Sequence, residues 1–276
     1  MIGQAKRLYE LQKVIRNSAR VNRDVPVIAF TSGKGGTGKS FVCLNLAYLL
    51  STQNYRVLVV DFDLNFANLH TLLNVMPEKT YYEYFNSGAE VSNLISQYNS
   101  NLHFLFGYSG KEENAIDLVS VRNLLSEINS VSSQYDFIFF DTSSGGGDLT
   151  VEILSQADQL MIITNPEPTS VMDAYAIIKL LNDRNNKLIL QLVVNKALKK
   201  EDADFAYNNL NVALQHFLKI HVDYFGFIPF EMEAIKAALN QTMLVKQLPE
   251  VEAVKSLTQF SQRLIKIKQV ANINHL

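Results

Sequence analysis

The chain has 276 residues, 47% of them hydrophobic and 19% charged, and a formal net charge of −2. That length suffices for one large domain or two small ones, and the near-neutral charge argues against a surface devoted to nucleic acid, though not against a local basic patch. The single cysteine, Cys43, excludes an intrachain disulfide framework, and no apolar run reaches bilayer-spanning length or resembles a signal-peptide core, so a reducing cytosol is the expected compartment.

Residues 1–24 read as a basic arm. Within it, residues 4–16 can form a helix with Ala5, Leu8, Leu11 and Ile15 along one side and Lys6, Arg7, Lys13 and Arg16 mostly elsewhere. From residue 25 short apolar runs alternate with amphipathic ones. Strands are predicted at Val25–Thr31, Arg56–Asp63, Leu102–Phe106, Tyr135–Asp141, Gln159–Asn165, Lys187–Asn195 and Tyr224–Ile228. Helices are predicted at Phe41–Leu50, Asp117–Ser132, Thr169–Asp183, Asp202–Leu218 and Val251–Ile267. Runs such as Val57-Leu58-Val59-Val60 and Phe137-Ile138-Phe139-Phe140 are apolar on both faces, which requires helices on both sides of a parallel sheet. The expected fold is one doubly wound, mostly parallel α/β domain over residues 25–267, with a tail at 268–276. Ligands of such sheets bind at the carboxyl ends of the strands.

After the first predicted strand comes Gly33-Lys34-Gly35-Gly36-Thr37-Gly38-Lys39-Ser40, the G-x-x-x-x-G-K-[ST] phosphate-loop spacing. Glycines let successive backbone amides turn inward on phosphate oxygens, Lys39 reaches the β- and γ-phosphates, and Ser40 offers a hydroxyl to Mg²⁺. The expected nucleotide contacts are these eight residues and the following Phe41. The strand-helix context makes an ordinary glycine turn the poorer explanation.

Three strand ends carry further chemistry. Asp61-Phe62-Asp63 places two carboxylates on the ligand edge, one to hold the Mg²⁺ hydration shell (Asp61) and one, further out, to orient an attacking water (Asp63). Asp141, before Thr142-Ser143-Ser144-Gly145-Gly146-Gly147, has the Walker-B position and holds Mg²⁺ through water; the glycines behind it could sense a γ-phosphate. An isolated aspartate at such a place is usually a cap or turn residue, but two acid clusters beside a phosphate loop favour the nucleotide reading. The amide of Asn195 can meet an adenine edge, with a loop cap as the competing role, and Pro229 and Phe230 could wall the base pocket.

Toward the end, Leu257, Phe260, Leu264 and Ile267 form an apolar seam, with Lys255, Arg263, Lys266 and Lys268 supplying charge. A basic amphipathic helix over 255–276 suits a membrane surface. Its first half is expected to pack on the sheet as the last core helix, leaving Lys266–Leu276 free.

The loop with its early lysine, Lys34, followed by Asp61-Phe62-Asp63, Asp141 and Asn195-Lys196, resembles the deviant Walker A of the MinD/ParA ATPases over nearly the whole chain. The resemblance implies ATP and ADP as ligands with Mg²⁺, ATP hydrolysis, and a homodimer that sandwiches two ATP molecules. In that family Lys34 would reach the phosphates of the partner's ATP, and Asp63 would be the water-orienting acid. Within the family the chain looks most like the FlhG (YlxH, FleN) subgroup of flagellar-number regulators, through Asn165-Pro166-Glu167-Pro168-Thr169-Ser170, Asp173-Ala174-Tyr175-Ala176-Ile177-Ile178-Lys179 and Ala67-Asn68-Leu69. The arm resembles that subgroup's D-Q-A-x-x-L-R activator motif: Gln4, Ala5 and Leu8 match, while Gly3 replaces the acid and Tyr9 the arginine. The implied partners are a second copy, an FlhF-like signal-recognition-type GTPase, flagellar basal-body or regulatory proteins, and a membrane surface. A ParA-like partition ATPase on DNA and a MinD-type division regulator share the ATP chemistry; the acidic balance and the Pro166–Ser170 segment favour the flagellar subgroup over the first, and the arm favours it over the second.

Overall fold

A computed structural model describes residues 25–64, 66–108, 116–184 and 188–273. Gln4, Ala5 and Leu8, expected to meet a partner, lie outside them. Eight strands form one sheet: β1 (Val27–Thr31), β2 (Val57–Phe62), β3 (Ser96–Gln97), β4 (Leu102–Leu105), β5 (Phe137–Thr142), β6 (Gln159–Thr164), β7 (Ile189–Ala197) and β8 (Asp223–Pro229). Their order is β3-β4-β2-β5-β1-β6-β7-β8, and only the β3-β4 pair is antiparallel. The helices are α1 (Lys39–Thr52), α2 (Leu69–Leu72), α3 (Tyr82–Ser87), α4 (Leu118–Ser130), α5 (Asp148–Ser155), α6 (Pro168–Asn182), α7 (Lys200–Phe217), α8 (Met232–Leu239), α9 (Leu244–Gln247) and α10 (Glu252–Ile273).

Two apolar cores result, one on each face. Val27, Ala29, Leu58 and Val60 point to the face covered by α4, α5, α6 and α7; Ile28, Phe30, Val57 and Val59 point to the face covered by α1, α8, α9 and α10. Period-2 alternation within strands that are apolar throughout can be satisfied only by covering both faces, so the doubly wound architecture follows from the pattern. Cys43 sits inside the second core, and burial pushes its thiol well above the ordinary range.

Predicted ends lie within two residues of the observed ones, apart from the last helix, which runs six residues beyond Ile267. Its seam is spent on the core: Leu257 and Leu264 are fully buried and Phe260 nearly so. Lys268, expected in a free tail, donates 2.8 Å bonds to the carbonyl and carboxylate of Asp136 and sits over the Phe137 ring. Lys268 is therefore packed rather than free. Tertiary packing outcompetes solvent because the lysine stem covers an aromatic ring while its ammonium finds a carboxylate.

Candidate functional site

The strand order places β1 between β5 and β6, so the phosphate loop leaving β1 lies in the crevice at the carboxyl edge, flanked by the exits of β5 and β6, with those of β2 and β7 one strand further out. Gly36 and Gly38 have φ of 80° and 91°, a left-handed backbone that a side chain would strain. Gly38 caps α1 without any side-chain bond, and no acidic residue occupies the first turn of that helix. Its positive dipole end thus adjoins the loop, an arrangement that attracts an anion. Thr37 is 1% exposed and its hydroxyl oxygen finds no hydrogen-bond partner among the described residues. A buried orphan hydroxyl beside a helix N-terminus that no side chain caps fits a phosphate group.

Lys39 and Ser40 converge on Asp141. The Lys39 ammonium donates to Asp141 Oδ1 at 2.7 Å and the Ser40 hydroxyl to Oδ2 at 2.6 Å. Burial works against the Lys39 charge, but the Asp141 charge and hydrogen bond outweigh it, and the lysine pKa is raised. Asp63 contributes to the same rise, so its carboxylate lies within electrostatic reach of the loop lysine. The ammonium thus serves the acid that would hold a cation, and the acid serves the lysine that would hold an anion. Mg²⁺ and a triphosphate together would replace both halves of the pair.

Asp61 is the register partner of Asp141 across β2 and β5. It is fully buried; Oδ1 accepts from the amide of Asp63 at 3.2 Å and Oδ2 from the amide of Leu69 at 3.1 Å. Burial first, and then the charge of Asp141, lifts its pKa to about 7, against the opposing pull of the two amides. Of the three groups expected around a metal, Ser40 and Asp141 are in contact, while Asp61 anchors the turn that carries Asp63. Asp63 itself is partly exposed and accepts from Ser143 Oγ at 3.0 Å.

Lys34 behaves differently from Lys39. Its ammonium bonds Glu167 Oε2 at 2.7 Å and Thr169 Oγ1 at 3.3 Å, both at the start of α6. The lysine holds the Glu167 carboxyl below the usual range, first through the hydrogen bond and then through its charge. The close approach of α6 also explains Gly33, where any Cβ would collide with the backbone of Asp173.

Asn195 is buried and its Nδ2 donates to the Thr37 carbonyl at 2.7 Å, while Oδ1 accepts from the amide of Lys196. It therefore braces the loop, the cap-like role that competed with base recognition, and still borders a cavity. That cavity, of ≈ 320 Å³, is lined by Gly38, Phe41, Asn195, Pro229, Phe230 and Ile235 among others. Residues from four separate segments thus form one largely apolar cavity beside the loop. A second cavity, of ≈ 360 Å³, lies near Met76, Gln97 and Phe104 and shares no residue with the loop. Two loop partners have no site role in the sequence pattern: Glu167 stands there only within a segment and Lys196 only within the Asn195-Lys196 pair, yet Lys196, at φ 59°, bonds the Gly36 carbonyl at 2.7 Å. A positively charged residue directly after the strand-end asparagine was the available signal for the latter.

The family model of an AAA domain (AAA_31) matches residues 25–200, which spans the loop and the exits of β2, β5, β6 and β7. The chain is 30% identical over 271 residues to the flagellum site-determining protein YlxH of Helicobacter pylori, covering 96% of this chain and 91% of that one. It is 28% identical over 241 residues to the antiactivator FleN of Pseudomonas aeruginosa, covering 87% and 86%. Among solved structures it superimposes on the septum site-determining protein MinD of Pyrococcus horikoshii with a TM-score of 0.76 at 24% identity, covering 89% of this chain and 98% of that one. With the phosphate loop, its early lysine and the two strand-end acids assembled at one edge, the chain belongs to the MinD/ParA family of ATPases and is similar to FleN and YlxH over most of its length.

Proposed function

We propose that this protein is a dimerising ATP switch that regulates the number or placement of flagella. ATP lies with its phosphates in the loop formed by residues 33–40 and its base in the slot between Phe41, Asn195, Pro229 and Phe230. Mg²⁺, which neutralises charge on the β- and γ-phosphates, would be held by Ser40 and, through water, by Asp141. The MinD relative was solved as a complex with Mg-ADP, in keeping with this assignment. Asp63 orients the attacking water.

The observation that carries the switch reading is Lys34. The loop already possesses a buried lysine for its own nucleotide, and Lys34 instead extends its amine outward, 32% exposed, onto a surface carboxylate. An exposed ion pair of this type is worth only about 0–1 kcal/mol, so the amine transfers readily to a more strongly charged acceptor. A triphosphate presented by a second copy is such an acceptor, and charge delivered there stabilises the developing negative charge of the leaving phosphate. The name of YlxH, a flagellum site-determining protein, supplies the flagellar context. The arm at residues 1–24 is assigned to an FlhF-like GTPase or another flagellar protein. Reversible membrane contact is confined to the extreme C-terminus, because the seam of α10 is buried and no helix among the described residues is long and apolar enough to cross a membrane.

The deciding measurement is the mass in solution of the Asp63→Ala protein with ATP and with ADP. A dimer with ATP alone supports the switch; a monomer with both refutes it. Removing residues 1–24 should leave ATPase activity intact and abolish stimulation of the GTPase, and equal stimulation by both forms would dismiss the arm. Equal recovery on liposomes with ADP and ATP would dismiss the membrane component.

A further inference from the structure

Asp63 needs more than proximity to orient a water: its carboxylate must hold one rotation about the Cβ–Cγ bond. Among the described residues, two groups hold that rotation, and both act on the same oxygen. The hydroxyl of Ser143 donates to Oδ1 at 3.0 Å and the amide of Phe66 donates to Oδ1 at 3.2 Å. The second is a local turn contact; the first crosses from the exit of β5 to the exit of β2. Ser143 is 6% exposed and follows Asp141 by two residues, so it moves with the strand end that carries the metal-holding acid. It precedes Gly145, whose amide donates to the carbonyl of Ser32 at 2.9 Å, just before the phosphate loop. Ser143 thus joins the acid that orients water to the glycine segment placed to sense a γ-phosphate.

We infer that Ser143 is a positioning residue for hydrolysis: by occupying Oδ1 it leaves Oδ2 of Asp63 to the attacking water, and it passes the state of the 143–147 segment to that carboxylate. The inference rests on the reading of Asp63 as the water-orienting acid. A hydroxyl suits the task because it donates to a carboxylate without adding charge, whereas a lysine or arginine there would neutralise the acid and compete for the phosphate. One correctly placed hydrogen bond at a reacting centre commonly separates a productive from an unproductive geometry.

The experiment is Ser143→Ala beside the conservative Ser143→Thr, each alone and combined with Asp63→Ala. Ser143→Ala should lower kcat about tenfold with KM for ATP within about twofold, because the phosphate and base contacts are untouched. Ser143→Thr, which keeps the hydroxyl, should recover most of the rate. In the Asp63→Ala background Ser143→Ala should add no further loss, since its only route to the reaction has gone. A readout independent of turnover is amide hydrogen exchange in the nucleotide-free protein: protection of residues 66–69 should fall several-fold in Ser143→Ala, with protection of residues 37–45 unchanged. Parental kcat in Ser143→Ala, a parallel rise in KM, no recovery by threonine, or an additive loss in the double variant would each overturn the inference. If Asp63→Ala alone hydrolyses at the parental rate, the water-orienting reading fails instead, and the exchange experiment then decides by itself whether Ser143 anchors the Asp63 turn.

Discussion

Two lysines five residues apart in one loop have opposite surroundings. Lys39 is 8% exposed against a fully buried Asp141; Lys34 is 32% exposed against a Glu167 that is 62% exposed. The first pair stands in low dielectric, where separating the partners strands a buried charge. The second stands in water, where its rupture costs little. The same residue type is therefore a fixture at one end of the loop and a movable arm at the other, and burial alone makes the difference. The proposed switch, which would retain its own nucleotide while borrowing charge from a neighbour, requires both kinds.

The widest contrast comes from removing each partner in turn. Lys39→Ala should abolish measurable ATP binding in a fluorescent-nucleotide titration and destabilise the free protein by about 3–5 kcal/mol in denaturant, because Asp141 is left buried without a counter-charge; retained affinity would refute the assignment of the loop. Next in size, Asp63→Ala should slow hydrolysis by about 10²–10⁴-fold with ATP affinity unchanged, and the ATP dimer should persist in sedimentation. Turnover at the parental rate would remove Asp63 from the chemistry. Lys34→Ala should bind ATP normally and shift stability by less than about 1 kcal/mol, yet fail to dimerise with ATP. If it dimerised like the parent, the distinction between the two lysines would lose its functional meaning. The smallest effect belongs to Glu167→Gln, which frees the Lys34 amine without removing it. Dimer affinity in ATP should tighten by at most about fivefold, the equivalent of one exposed ion pair, and a weakened dimer would show that Glu167 aims the lysine and does not restrain it.

How legible these features were depends on how local their causes are. The glycines of the loop and the apolar strands were readable because each reflects a backbone or burial demand within a few residues. The short α2 and α9, four residues each, carry too little periodicity to be seen, and the two-residue β3 exists only because β4 offers it an antiparallel edge. Helix α5 escaped notice although it buries Val151, Ile153 and Leu154, since eight residues after a glycine run scarcely distinguish a helix from a loop. The apolar seam of α10 was read correctly as a seam, but whether it met sheet or membrane was decided by contacts with β8 and α1.

At the site the division is sharper. The amino-acid sequence by itself determined that a nucleotide binds, which acids stand at strand ends, and that the sheet is covered on both faces. Only the tertiary structure decided who meets whom: Lys39 with Asp141, Lys34 with Glu167, Ser143 with Asp63 and Asn195 with Thr37. These pairs are 80 to 158 residues apart along the chain. They meet because β1 inserts between β5 and β6 while β2 pairs with β5, an order set by packing two helical layers and by right-handed crossovers. Local patterning specifies what each strand end carries; the crossing order of the strands specifies which of those ends share a crevice.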